Sequence, residues 1–115
     1  MTAFSLLLTT SPLAGQDFAS ALRFARAALS GGYQIEQVFL YQDAVLAAAA
    51  NIDLPADETN LGQQLADFCL LHQIPLLYCV TAAEKRGLVP VKSSFIGAGL
   101  AEFAMRLTHS KLVQF

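Results

Sequence analysis

What most constrains this chain is a change of hydrophobic period that recurs along its length. "FSLLLTT", Phe4–Thr10, is an unbroken apolar run of strand length that stops at Ser11 and Pro12. From Gln16 to Ser30 the spacing switches: Phe18, Ala21, Leu22, Ala25 and Leu29 share one helical face, and Arg23, Arg26 and Ser30 lie opposite. Gly31–Gly32 stops that helix. "QIEQVFLY", Gln34–Tyr41, returns to a strand. Strands without polar alternation are buried on both faces, and helices between them supply the cover. The pattern predicts an α/β chain whose parallel sheet lies inside a three-layer α/β/α sandwich.

The same logic reads the rest. Asp43 is expected to cap a short alanine-rich helix running to about Ala50. Residues 51–60, "NIDLPADETN", are the most polar stretch and read as a mobile or partner-facing loop. Asn60 opens another helix with Leu61, Leu65, Phe68 and Leu71 inward, and Pro75 precedes a third strand, Leu76–Val80. A short helix and the loop "LVPVKSS" follow. Phe95 to about Leu107 reads as a helix containing Gly97 and Gly99, and "KLVQF" closes as a final short strand. No internal repeat or linker interrupts this order, so residues 1–115 read as a single domain.

Composition bears on partners. Hydrophobic residues make up 55% of the chain and charged ones only 14%, against roughly 25% charged in ordinary soluble domains. So few charges leave apolar surface to be covered by other subunits. The net charge is −2 and the seven basic residues are dispersed. That distribution lacks the basic stripe of a nucleic-acid binder. No stretch approaches the ~20 apolar residues of a membrane span, and the opening residues lack the basic leader of a signal peptide.

Two cysteines, Cys69 and Cys79, with only His72 and His109 beside them, show neither CxxC nor zinc-ligand spacing. A core of this size has little need of disulfides. The thiols read as reduced and the compartment as cytoplasmic.

"LLYCVTAAEKRG", Leu76–Gly87, sets a cysteine where a strand ends and a helix begins. Ligands and chemistry in parallel α/β folds collect beyond the carboxyl ends of the strands. Thr81 and Glu84 fit the S/T-x-x-E capping box, which starts a helix just past Cys79. A helix N-terminus favours thiolate over thiol, and Lys85 and Arg86 follow within a turn. A thiolate so placed is a nucleophile without a partner base. Neither His72 nor His109 is placed by sequence to serve as one, which argues against Cys–His hydrolysis. The plainer alternative is that Cys79 merely packs, since free cysteine is among the most buried residue types. Cys69, among Phe68, Leu70 and Leu71, reads as core.

On these residues the chain resembles the DsrE/TusD sulfurtransferases. The likeness runs through "TSPLAG", "FASALRFARAAL" and "VFLYQDAVLAAAAN", is strongest in "CVTAAEKRGLV", and returns in "GAGLAEFAMRLTHSKLVQF". Cys79, Ala82, Ala83, Arg86 and Gly87 match the family pattern, with Lys85 in the other basic place. The resemblance implies a DsrE-like sheet of about five parallel strands and a persulfide carried on Cys79. Thr81, Lys85 and Arg86 would support that site, with no metal or organic cofactor. It also implies a place in a sulfur relay, between donor and acceptor proteins, leading to tRNA uridine thiolation or to sulfur oxidation. Paralogous subunits, or copies of the same chain, would assemble around it, as hexamers in the family. Three departures stand out: a shortened segment between Gly87 and Gly97, Ser110 near the place of an aspartate, and Ala44 where glycine is common.

Two other classes compete. The chain could serve as a non-catalytic assembly subunit, with Cys79 inert. A flavodoxin-like nucleotide or flavin site would need "TTSPLAGQ" to cradle phosphate, and that loop has one glycine and no P-loop lysine.

Overall fold

The computed structural model of the chain describes residues 2–49, 60–88 and 91–115. Five parallel strands form one sheet in the order β4-β3-β2-β1-β5. The strands are β1 (Ala3–Leu8), β2 (Gln34–Leu40), β3 (Leu76–Cys79), β4 (Ile96–Ala98) and β5 (Lys111–Gln114). The helices are α1 (Asp17–Ser30), α2 (Leu61–Leu71), α3 (Val80–Lys85) and α4 (Leu100–Leu107), with a 3-10 helix at Gln42–Ala48.

Right-handed crossovers dictate the layers. The chain steps in one direction from β1 to β4, which puts α1, α2 and α3 on one face; it then returns across the sheet to β5 and lays α4 on the other. Register carries the core out to both sides. Leu6 pairs beside Val38 and Leu8 beside Leu40, toward α1 and α2, whereas Leu7 pairs beside Phe39 on the α4 side. There Phe39 stacks on Phe103 of α4 with ring centroids 4.6 Å apart. A register shift between Phe4 and Ser5 turns both Glu36 and Gln37 toward α4. Buried Gln37 donates from Nε2 to Ser5 Oγ at 3.0 Å and to the Phe103 carbonyl at 3.2 Å. Ser5 in turn bonds the Ser110 hydroxyl, which donates to the Arg106 carbonyl, so a short polar chain pins α4 to the sheet.

Four readings of the sequence are corrected. Residues Phe95 to Leu107 do not form one helix: Ile96–Ala98 is an edge strand paired to β3, and helix begins only at Leu100. Gly97 permits this, because a Cβ there would stand 2.7 Å from Val80 Cγ1 and 3.2 Å from the Tyr78 hydroxyl. Asp43 caps nothing; Tyr41 precedes the 3-10 helix without a side-chain cap, and Asp43 pairs with Arg86 instead. Leu71 is 76% exposed, and Ala66 and Cys69 take the inward positions on α2. The third strand stops at Cys79, and Val80 is already helical. Asn60 does cap α2, accepting from the Gln63 amide at 3.0 Å. The polar loop expected at 51–60 lies, but for Asn60, outside the described residues.

Candidate functional site

Cys79 is at once the last residue of β3 and the residue that caps α3, with φ −70° and ψ 115°. No residue separates strand from helix. Pairing of Cys79 with Ala98 keeps its backbone extended, and the chain turns helical at the next residue. That geometry overturns the expected capping box: Thr81 is the second residue inside α3, no side chain caps the helix, and Glu84 is exposed. A box needs its threonine outside the helix, and the strand leaves no slack for one.

Alternation places Cys79 on the same side as Leu77 and Phe39, toward the start of α4. The residue is only 3% exposed, yet it lines a cleft of about 500 Å³ at the carboxyl edge of the sheet. Tyr41 and Gln42 form one wall of the cleft, Thr81, Ala82, Lys85 and Arg86 another, and Leu100 opens α4 across from them. The structure thus brings together all four residues that the sequence singled out, Cys79, Thr81, Lys85 and Arg86.

Arg86 ties the walls together. Its Nε donates to Asp43 Oδ1 at 2.9 Å, Nη2 lies 2.9 Å from the same oxygen, and Nη1 donates to the Ala82 carbonyl at 3.0 Å. Lys85 is exposed at the end of α3. The cleft therefore carries one neutralised cation and one exposed cation beside a thiol.

Sequence reasoning missed Tyr41, Gln42 and Leu100. Strand order would have found the first two, because they follow β2 directly and β2 lies beside β3. Leu100 was hidden by the misread start of α4.

The remaining chemistry-bearing residues lie elsewhere. Cys69 is buried in α2, and burial pushes its thiol up to about 12. His72 packs on Phe68, ring centroids 4.6 Å apart, in a groove of about 560 Å³ between α1 and α2 that contains no cysteine. His109 lies near Thr2 and Lys111, at the start of β5. Neither histidine lines the cleft with Cys79. Among the described residues no group of three or more His, Cys, Asp and Glu is placed to hold a metal ion, and no helix is long and apolar enough to cross a membrane.

A cysteine at the carboxyl edge of an all-parallel sheet, capping the next helix and walled by basic residues, defines a class of small α/β proteins built around one strand-end thiol. Residues 3–115 match the model of the DsrE/DsrF-like family, and the chain belongs to that family. It is 35% identical over 132 aligned positions to the sulfurtransferase TusD of Pectobacterium atrosepticum, covering 100% of both chains. A sulfurtransferase TusD homolog of Vibrio parahaemolyticus is 31% identical over 127 positions, covering 97% of this chain and 96% of its own. Among solved structures, the ychN protein of E. coli superposes with a TM-score of 0.84 at 22% identity over 100% of both chains, which fixes the fold as DsrE-like.

Proposed function

We propose that this chain is a sulfurtransferase of a sulfur relay, carrying sulfane sulfur as a persulfide on Cys79. The observation that carries the reading is the position of Cys79: a strand-end thiol on the floor of an open cleft, beside Thr81, Lys85 and Arg86. The names of the curated relatives supply the reaction class.

The step balances without cofactor or oxidant. The Cys79 thiolate attacks the outer sulfur of a donor persulfide, a new S–S bond forms, and the donor's own S–S bond breaks. The donor leaves as a thiolate and takes up a proton, while Cys79 becomes Cys79–S–SH. An acceptor thiolate then attacks that outer sulfur and releases the Cys79 thiolate. Lys85 offers a mobile positive charge to the anions in both half-reactions, and Thr81 a hydroxyl donor at the cleft wall. Arg86 contributes by holding the wall in place through Asp43. Onward delivery to tRNA uridine thiolation or to sulfur oxidation, in a compartment that keeps thiols reduced, belongs to the same proposal.

The proposal includes assembly with paralogous subunits or with further copies. Among the described residues α4 is the one helix on its face of the sheet; it buries Phe103 and leaves Leu100 and Met105 exposed, the latter 72%. Ile96 and Leu112 on the two edge strands are exposed as well. The second reading, an assembly subunit with an inert thiol, draws on the 3% exposure of Cys79.

Intact mass after incubation with a cysteine desulfurase, cysteine and a donor protein separates the two. Gain of one sulfur by the wild type and none by Cys79→Ser supports the carrier. Equal gain by both would mean the wrong thiol has been chosen, and no gain by either would leave the assembly subunit.

A further inference from the structure

Two non-glycine residues of the described chain hold a positive φ, Gln42 at 51° and Gln73 at 57°. Gln73 has an ordinary cause. It follows the C-cap of α2, where the Ile74 amide donates back to the Cys69 carbonyl at 2.8 Å, the left-handed turn that ends many helices. Gln42 ends no helix. It opens the 3-10 helix, with only Tyr41 between it and the end of β2, at a position where glycine or asparagine would adopt the same backbone with less strain.

Strain of this kind persists only where the surroundings over-determine it, and it clusters at ligand sites. The surroundings of Gln42 do so. The Tyr41 amide donates to the Leu8 carbonyl at 2.9 Å, the Ala44 amide donates to the Tyr41 carbonyl at 3.1 Å, and Asp43 is held by Arg86 at 2.9 Å. The strained conformation leaves Gln42 lining the cleft that contains Cys79. The other long donors there are differently employed. Arg86 is bound to Asp43 and Ala82, and Lys85 is a flexible point charge. The exposed Gln42 side chain adds a primary-amide donor to this lining, carried on a backbone held in place and standing with the Thr81 hydroxyl around the thiol.

We propose, resting on the carrier reading of Cys79, that Gln42 binds the cargo: its side-chain N–H donates to the outer sulfur of the Cys79 persulfide. A perthiolate is a soft anionic acceptor, and a donor aimed at it slows its loss. Glutamine is kept at a strained position because its side chain serves the sulfur there.

The test loads wild type, Gln42→Gly, Gln42→Leu and Cys79→Ser with inorganic polysulfide, removes the excess, and follows the added sulfur by intact mass. Thermal midpoints are measured on the same samples. The expected result is a persulfide half-life at least threefold shorter in both Gln42 variants, with the midpoint of Gln42→Gly equal to or above wild type because its strain is gone. Half-lives matching wild type would overturn the proposal, as would a lower midpoint for Gln42→Gly, which would make Gln42 a packing residue. A Cys79→Ser protein that loads like wild type would instead sink the carrier reading itself.

Discussion

The charge on the cleft wall can be altered without altering its shape. Asp43→Asn removes one carboxylate charge beside Arg86, whose Nη2 lies 2.9 Å from Oδ1; the side chains are 29% and 62% exposed. An ion pair that exposed contributes about 0–1 kcal/mol, so the fold should survive with Tm lowered by less than about 8 °C. What changes is the field in the cleft, because the guanidinium is no longer neutralised. Two unit charges in water interact by about 1 kcal/mol at 4 Å, and by about half that at twice the separation. An anion arriving at Cys79 therefore gains about 0.5 kcal/mol, a factor of about two in rate, rising toward about fivefold as the low-dielectric walls concentrate the field. The assay is the ratio of alkylation rates with iodoacetate and iodoacetamide, near-isosteric reagents that differ in charge, so that accessibility cancels. Cys69 stays silent, buried and with its thiol pushed up to about 12. The ratio should rise two- to fivefold in Asp43→Asn at low salt and return toward wild type near 1 M salt, where the screening length is about 3 Å. An unchanged ratio at low salt, or one indifferent to salt, would refute the claim that Arg86 shares an electrostatic site with the thiol.

Two further predictions concern the frame around the site. Burial raises Cys69 from 9.0 to about 12 in the fold, so its neutral form is favoured there; the associated stability is complete below about pH 9 and is lost as pH climbs toward 12. Over that window wild type should lose up to about 1.4 kcal/mol per pH unit more than Cys69→Ala in urea titrations, and parallel curves would contradict it. Gly97→Ala puts a methyl 2.7 Å from Val80 Cγ1, and that crowding, at about 1–3 kcal/mol, should outweigh the 0.5–1 kcal/mol that Ala gains over Gly in a strand. Urea denaturation showing a neutral or more stable variant would mean that Val80 yields freely.

The parts of the fold legible in the sequence are those fixed by hydrophobic period. Leu6, Leu8, Val38 and Leu40 lie in continuous apolar runs because both faces of a central parallel strand are covered. The inner face of α1 follows its spacing, with Phe18, Ala21, Leu22 and Ala25 buried. What failed was local chemistry overruled by tertiary pairing. Gly97 looked like a tolerated helix residue, but its space is required for β4 to pass Tyr78 and Val80. Thr81 and Glu84 had the right letters for a cap, but pairing of Cys79 with Ala98 starts the helix two residues too early for them. Asp43 looked like a cap as well, and a cation 43 residues away claimed it. Neither a period nor a motif encodes the strained backbone of Gln42; it became visible only from φ.

The burial of Cys79 looks like an obstacle to a carrier, but it follows from what a carrier must avoid. A persulfide has two electrophilic sulfurs. Attack on the outer one passes the cargo on, whereas attack on the inner one makes a mixed disulfide and discards the cargo. In Cys79 the backbone is locked by the ladder to Ala98 on one side and by the start of α3 on the other, and the residue is 3% exposed. The inner sulfur is therefore shielded from most approaches. In the proposed persulfide an outer sulfur, bonded at about 2 Å, would extend beyond Cys79 at the 500 Å³ cleft that this residue lines. On the carrier proposal such geometry would select the productive reaction, because incoming thiolates would meet the cargo before Cys79. A fully exposed cysteine would load faster and lose this discrimination; the 3% exposure is compatible with a carrier as well as with packing, and the gain of sulfur by intact mass separates the two.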